Sequence, residues 1–590
     1  MTPGEAIAAT PTVSAVRAWG KAIGVLRSTG LNGGSQLWRY RKGKWTPISG
    51  ETHRVSSGLN GYGAPAWTPF GGKRALCLVP SLGVVQLFNR DGQLLKAFPL
   101  EGLQQGFVTR WSKHEFAYVA DFGPREGRSI IVVDVDRGLS RSVWRTPDLL
   151  GGLSVDVDSG HVAWHSWRSG TMPWDTAQVL VADRAYMYLR PEIVAGSDGH
   201  AACNPTWIQG DLYFQHEAEE EFKPVRVRDG LPTTATAVAG ESLSDWFFGW
   251  PWTARHPKGS AHISVRSSTT LLHIWREDGS VEMVDAAPVG TQELATVGRH
   301  LYVTGGDFEE SSGLWDLNVD KGRWTQLLPD GSSSREQRPV RSELRRTDTG
   351  VPFVYYEPER NDIQAPLNDK PGLILDIHGG PTAYAKRGLR ATTQYFAQSG
   401  FAFASVDYRG SVGYGATYRR SLNGHYGEFD VADIQAVARY LIQTGEVDSD
   451  RVFVRGGSSG GLTAILAGED HIFAGVIAHY PVTDAHRLND ATVEIEHRYL
   501  EELIGSLPEN AEKFDSISPY FRRQFPKRML ITQGTDDVVI PVDLVRDYVA
   551  KLESEGVVVT YVELEGEGHG YRSPLAQELV LAAEIEFLRR

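Results

Sequence analysis

Three stretches in the C-terminal part of the chain carry side chains that could do nucleophilic chemistry. The apolar run RVFVRG (451–456) leads into Gly456-Gly457-Ser458-Ser459-Gly460-Gly461, and a helix-like stretch follows. This is G-x-S-x-G in the setting the motif requires: strand, tight turn, helix. Glycines let the backbone turn sharply with a strained serine at the apex, its hydroxyl exposed near a helix N-terminus. Ser458 is therefore the candidate nucleophile. Ser459 is the competing hydroxyl, but it occupies the variable position of the motif, and its useful part is the backbone N–H.

A serine hydroxyl is a poor nucleophile without a base. In this architecture the partners follow in the order Ser, Asp, His. The run RMLITQG (528–534) is followed by Thr535-Asp536-Asp537, and VVVTYVEL (557–564) by Gly566-Glu567-Gly568-His569-Gly570. Asp537 stands 79 residues after Ser458, and His569 another 32 further on. Both lie just past the C-terminal end of a strand, where open α/β sheets place their sites. His569 is the expected general base. Asp537 is preferred over Asp536 as the carboxylate that fixes the imidazole tautomer; Asp536 reads as a solvent-facing turn residue. An oxyanion hole needs a further donor from an earlier loop. The run LILDIH (373–378) ends in His378-Gly379-Gly380-Pro381. The Gly379 and Gly380 N–H groups, with that of Ser459, are the expected donors.

The elements that must position these residues alternate. Strand-like runs at 373–378, 401–407, 451–456, 474–480, 528–534 and 557–564 are separated by helical patterns at 389–399, 428–444, 460–468, 543–555 and 575–588. Near-continuous apolar strands alternating with helices predict a mostly parallel, doubly wound sheet. This α/β-hydrolase domain is placed at 341–590. The first half has a different grammar: short strands broken by turn residues, such as 75–79, 116–122, 129–135, 161–167, 211–217, 261–265 and 301–306. Trp67, Trp111, Trp207 and Trp252 each stand before a turn and an apolar strand, spaced 44, 96 and 45 residues apart. The same period reaches strand-like sequence near Ile23, Val155 and Thr296, for seven units in all. A period of ~40–50 residues with short strands indicates a β-propeller of seven blades rather than a sandwich. The propeller is placed at 19–335, after an N-terminal segment at 1–18.

The chain of 590 residues exceeds what one core supports, so two domains are expected. Its net charge of -13 offers no basic face for nucleic acid. Two cysteines, Cys77 and Cys203, make no disulfide framework, and no Cys/His cluster has metal-ligand spacing. No metal or cofactor is expected. No membrane-spanning run or secretory leader is read, so the cytoplasm is the expected location; a homo-oligomer is left open.

Together, HGGP (378–381), DYRGSVGYG (407–415), GGSSGG (456–461), GTDDVVIP (534–541) and GEGHG (566–570) resemble the prolyl oligopeptidase family of serine peptidases. The acylaminoacyl-peptidase and dipeptidyl-aminopeptidase-like subgroup is the nearest in form. The resemblance implies a propeller joined to an α/β-hydrolase domain and the same roles for Ser458, Asp537, His569, Ser459 and the Gly379–Gly380 backbone. It also implies that the segment Ile495-Glu496-His497-Arg498-Tyr499 borders the substrate pocket, with Tyr499 at a pocket tyrosine and Ile495 where another aromatic would stand. That departure argues against strict proline selectivity. The dipeptidyl branch anchors a substrate amine on paired propeller glutamates, and Glu219, Glu220 and Glu221 form an acidic run that is a candidate for that role, although such a loop is usually only solvated. The expected substrate is a short peptide or an acylated amino acid. The alternatives are an amidase, esterase or acyl-transfer enzyme acting on a non-peptide metabolite, and a propeller scaffold without activity.

Overall fold

The computed structural model describes residues 13–28, 35–50, 54–60, 62–243, 246, 251–285, 287–288, 290–306, 313–328, 340–358, 370–388 and 390–590. The first half forms seven four-stranded antiparallel sheets, each hydrogen-bonded in chain order. These are blades 1 to 7 of a propeller, spanning 13–47, 67–99, 104–146, 149–195, 202–234, 253–283 and 293–328. Val13–Trp19 is the first strand of blade 1, so residues 13–18, read as part of a separate leading segment, belong to the propeller; residues 1–12 lie outside the described part. The boundary expected near 335 also falls outside the described residues.

The tryptophan period has a packing cause. Trp67 opens blade 2, fully buried, and lies so close to blade 1 that a Cβ on Gly24 would fall 2.3 Å from its ring. Its indole N–H donates to the Ala15 carbonyl at 2.7 Å. Ala15 sits in a β-bulge at φ 54°, and the first strands of blades 3, 4 and 5 carry like bulges around Phe107, Gly152 and Asn204. A bulge bends and twists the strand on which it lies. The ring closes through Glu293 of blade 7, whose two carboxylate oxygens accept from the Ala15 and Val16 N–H groups of blade 1 at 2.8 and 2.9 Å.

The second half forms one eight-stranded sheet. Its strands are β1 (Ser342–Arg346), β2 (Pro352–Tyr356), β3 (Leu373–Ile377), β4 (Ala402–Val406), β5 (Val452–Gly457), β6 (Gly475–His479), β7 (Arg528–Gly534) and β8 (Val558–Leu564). Their spatial order is β1-β2-β4-β3-β5-β6-β7-β8, with β2 antiparallel to both its neighbours and the other pairs parallel. The strand order switches direction between β3 and β5, with β4 on one side and β6 on the other, so the strand ends at β3 and β5 border the crevice where such sheets bind ligands. The helices are α1 (Ala391–Gln398), α2 (Ala416–Arg420), α3 (Phe429–Gln443), α4 (Ser459–Ala467), α5 (Ala485–Ala491), α6 (Tyr499–Ile504), α7 (Ala511–Ile517), α8 (Val542–Ser554) and α9 (Pro574–Arg589). The sheet strands β2 to β6 are almost wholly buried, which is why they read as continuous apolar runs.

A buried ion cluster joins the halves. Arg419 of α2 reaches Glu217 at 2.8 Å and Glu241 at 3.5 Å, both fully buried propeller carboxylates. Glu241 also accepts from the Gly415 N–H at 2.5 Å, and burial pushes its carboxyl up to about 7. Glu220 accepts from the Thr417 N–H and hydroxyl, both at 2.9 Å. The acidic run is thus partly an interdomain contact: Glu220 holds the start of α2, and Glu221 pairs with Lys223.

Candidate active site

β5 ends one residue before Ser458, and α4 begins one residue after it. Ser458 has φ 57° and ψ −125°, a region that costs a side-chain-bearing residue about 1–3 kcal/mol unless its surroundings enforce it. Three bonds enforce it here. The Ser458 N–H donates to the His479 carbonyl at 3.0 Å, and the Gly461 and Leu462 N–H groups donate to the Ser458 carbonyl at 2.9 and 3.2 Å. Chain crossing is tight enough that a Cβ on Gly456 would lie 2.2 Å from the Gly460 carbonyl oxygen.

Asp537 follows β7 in a turn and its side chain is fully buried. Oδ1 accepts from the Val539 and Ile540 N–H groups, both at 2.9 Å. Oδ2 lies 2.9 Å from His569 Nδ1 and 3.3 Å from Gln533 Nε2. A carboxylate fixed in this way orients one ring nitrogen of the histidine as donor and leaves the other free to accept a proton. Asp536 is exposed and does not reach the histidine. His569 sits between Gly568 and Gly570, which form a one-pair bridge, so the ring is carried on a tight hairpin-like loop after β8.

Ser458 and His569 line one cavity of about 590 Å³. Gly379 and Gly380 line it as well, on the loop after β3. A Cβ on Gly379 would lie 2.8 Å from the Gly457 carbonyl oxygen and 3.3 Å from the Ser458 Cβ. Gly380, at φ 47°, is covered by the Trp246 indole, which a Cβ there would meet at 2.3 Å. Bare backbone is therefore held against the elbow, the arrangement that a developing oxyanion needs. Ser459 is buried, and its hydroxyl is bonded to the Tyr426 hydroxyl at 2.7 Å, so only its N–H is placed to serve the site.

The structure adds residues that the sequence pattern did not single out. Tyr480, just past β6 at φ 36°, packs its ring 4.6 Å from that of His569 and lines the cavity. Tyr62 and Trp246 come from the propeller and roof it, with ring centroids 5.2 Å apart. Trp174 adds a third propeller ring 5.2 Å from Trp246. The one signal available in sequence was aromatic density, as in DWFFGW (245–250). Tyr499 and Ile495 do not reach the cavity wall. Tyr499 is buried one layer behind, 5.7 Å from Trp246, with its hydroxyl on Thr382 at 3.0 Å. Ile495 is 1% exposed in the apolar core. His378 also lines the cavity, stacked on Tyr408 at 4.4 Å, and burial pulls its pKa down to about 4.

A second opening of about 710 Å³ shares His569 and Tyr62 with this cavity. It lies between propeller residues 54–62 and catalytic-domain residues 536–539 and 565–575.

Residues 387–590 match the prolyl oligopeptidase family. An acylamino-acid-releasing enzyme of Arabidopsis thaliana is 27% identical over 53% of this chain and 43% of its own. A dipeptidyl aminopeptidase BIII of Pseudoxanthomonas mexicana is 29% identical over 34% of this chain and 30% of its own. The matched part thus spans less than half of either relative. A puromycin-hydrolyzing peptidase of Mycobacterium tuberculosis superposes with a TM-score of 0.90 at 22% identity, covering all of this chain and 95% of that one. An acylaminoacyl peptidase gives a TM-score of 0.75 at 15% identity, covering 99% and 97%. The chain resembles the prolyl oligopeptidase family and is built from a seven-bladed propeller and an α/β-hydrolase domain.

Proposed function

We propose that this chain is a serine hydrolase, a peptidase that acts at the N-terminus of short peptides, releasing single residues, dipeptides or acylated amino acids. His569 takes the Ser458 proton as the hydroxyl attacks the scissile carbonyl. The oxyanion forms against the N–H groups of Ser459 and the Gly379–Gly380 loop. His569 then protonates the leaving amine, and water resolves the acyl-enzyme by the same steps in reverse. Asp537 steadies the imidazolium throughout. The observation that carries this reading is the buried Asp537–His569 pair, opening on the cavity that the strained Ser458 shares. The roof of Tyr62 and Trp246 supports a second element of the proposal, that the propeller gates the site and holds water off the acyl-enzyme.

The likeness to puromycin hydrolases along the whole chain favours, as a second reading, amide hydrolysis of a non-peptide compound with the same residues. Two measurements separate these. A fluorophosphonate probe should label Ser458, and a panel of aminoacyl, acyl-aminoacyl and dipeptidyl chromogenic amides should be turned over. Labelling without turnover of any peptide amide would favour the second reading. Absence of labelling would remove both.

A further inference from the structure

A third space, of about 500 Å³, shares Arg54, Ser57, Tyr62 and Arg572 with the opening beside the catalytic cavity. Three guanidinium groups line it. Arg17 comes from the first strand of blade 1, Arg54 from the segment between blades 1 and 2, and Arg572 from the loop between His569 and α9. None of the three has an ion-pair or side-chain hydrogen-bond partner among the described residues, and the Arg17 Nε is buried without one. Elsewhere between the domains the rule is different: Arg128, Arg419 and Arg420 each meet a carboxylate.

The acids nearby do not compensate these cations. Glu293 gives both oxygens to the Ala15 and Val16 N–H groups, and burial pushes its pKa up to about 8, which keeps it protonated at neutral pH. Glu567 is taken by the Arg572 and Ser573 N–H groups at 2.8 and 3.2 Å. Asp536 and Glu565 line the opening but are exposed, with water to solvate them. Burial and the Arg572 charge both pull the Arg54 pKa down, against Glu567. A guanidinium does not escape that repulsion by shedding its proton. Like charges gathered around one space favour an anion there.

The chemistry says which anion. His569 hands its proton to the leaving amine, so the leaving segment departs on the His569 side. His569 lines both the cavity and the opening, and the wall of that opening carries Arg54 and Arg572. What a short peptide presents at the far end of its leaving segment is a carboxylate.

We infer that Arg54 and Arg572, with Arg17 in the adjoining space, are specificity residues that bind the C-terminal carboxylate of the leaving segment. This rests on the peptidase reading above and narrows it: short peptides with a free C-terminus are the substrates, and C-terminally blocked ones are poor. A guanidinium offers paired N–H groups that match both oxygens of a carboxylate, in charge-assisted bonds of the stronger kind.

The test uses the full-length enzyme and one N-terminal group that it accepts, followed by one to four glycines that end in a carboxylate or a carboxamide. At the best length the wild type should prefer the free acid by roughly tenfold or more in kcat/KM, through KM. In the double variant Arg54→Gln, Arg572→Gln that ratio should fall to roughly twofold or less. Fluorophosphonate labelling of Ser458 shows whether each protein has folded. A carboxamide peptide that ends in glutamate separates a side-chain carboxylate from the terminal one, and it should be as poor as the other carboxamides. If it matches the free acid, the assignment to the C-terminus falls. A wild type indifferent to the terminus at every length, or a labelled double variant with the ratio intact, also overturns the inference and leaves the peptidase reading standing. Failure of the wild type to label or to turn over any peptide instead removes the reading beneath it.

Discussion

At the scale of single residues, the elbow separates two adjacent serines by environment rather than by type. The Ser458 side chain opens on the cavity, whereas the Ser459 hydroxyl is bonded to Tyr426 below it. Ser458→Ala should lower kcat by roughly 10⁴–10⁶ with folding unchanged, as measured by steady-state kinetics and thermal melting. Ser459→Ala should keep most of the rate and lose about 1 kcal/mol of stability with the buried bond. If Ser459→Ala is the dead variant, the assignment is reversed. The aspartates make a matching pair. Asp537→Asn should cost roughly 10⁴ in kcat by favouring the wrong tautomer, while exposed Asp536→Asn should cost little. These positions were legible in the sequence because chemistry dictates both their types and their order. Tyr480, Tyr62 and Trp246 were not legible in that way. They reach the site from the end of β6 and from two separate places in the propeller, and no spacing rule links them to Ser458. The roles expected for Tyr499 and Ile495 rested on a motif alone; in the structure Tyr499 packs against Trp246, which lines the cavity, and neither residue lines it.

At the scale of elements, the strands were readable because burial on both faces and blade periodicity leave strong apolar patterns. The second strand of each of blades 2 to 7 falls within a residue or two of an expected run. What holds the elements in a ring was not readable. Blades 1 and 7 close through a shared apolar cluster and through one carboxylate on two backbone N–H groups across 278 and 277 residues of sequence. Glu293 is fully buried, and that burial pushes its pKa up to about 8, opposed by those two bonds and by Arg17. The sign follows. The folded state holds this proton up to about pH 8, whereas the unfolded chain loses it near pH ~4.5, so the folded state binds more protons between these values. The contribution of Glu293 to stability is then greatest below pH ~4.5 and declines as pH rises to about 8. Urea titrations at pH 5 and pH 8 should show lower stability at pH 8. Glu293→Gln should flatten that slope and, with only one acceptor oxygen for two donors, should cost about 1–3 kcal/mol at pH 5. An unchanged slope in the variant would show that other groups carry the pH dependence.

At the scale of the whole molecule, the proposed reading has the two domains together decide what can reach Ser458. In the proposed reading, access is a matter of the gap between propeller and hydrolase. The ion cluster around Arg419 holds one side of that gap shut. Removing one partner from such a buried cluster costs several kcal/mol, so opening there is unfavourable. The other side, between Arg54, Ser57, Gly58 and Tyr62 and the loops at 536–539 and 565–575, has room: about 710 Å³, bordered like the cavity by His569 and Tyr62. In the proposed reading this opening is the entrance, wide enough for a flexible peptide and too narrow for a folded protein. Gly58 stands on its wall, exposed, without a positive φ, and a Cβ there would meet nothing within 4 Å. Gly58→Trp can therefore fill the entrance without straining the propeller. It should reduce kcat/KM for a five-residue peptide at least tenfold and for a single-residue amide by much less. Casein should be cleaved far more slowly than a short peptide with the same scissile sequence, both before and after the substitution. Equal losses for the short amide and the peptide would mean that the indole disturbs the site itself. No loss for either would place the entrance elsewhere, along the propeller axis or at a hinge on the Arg419 side.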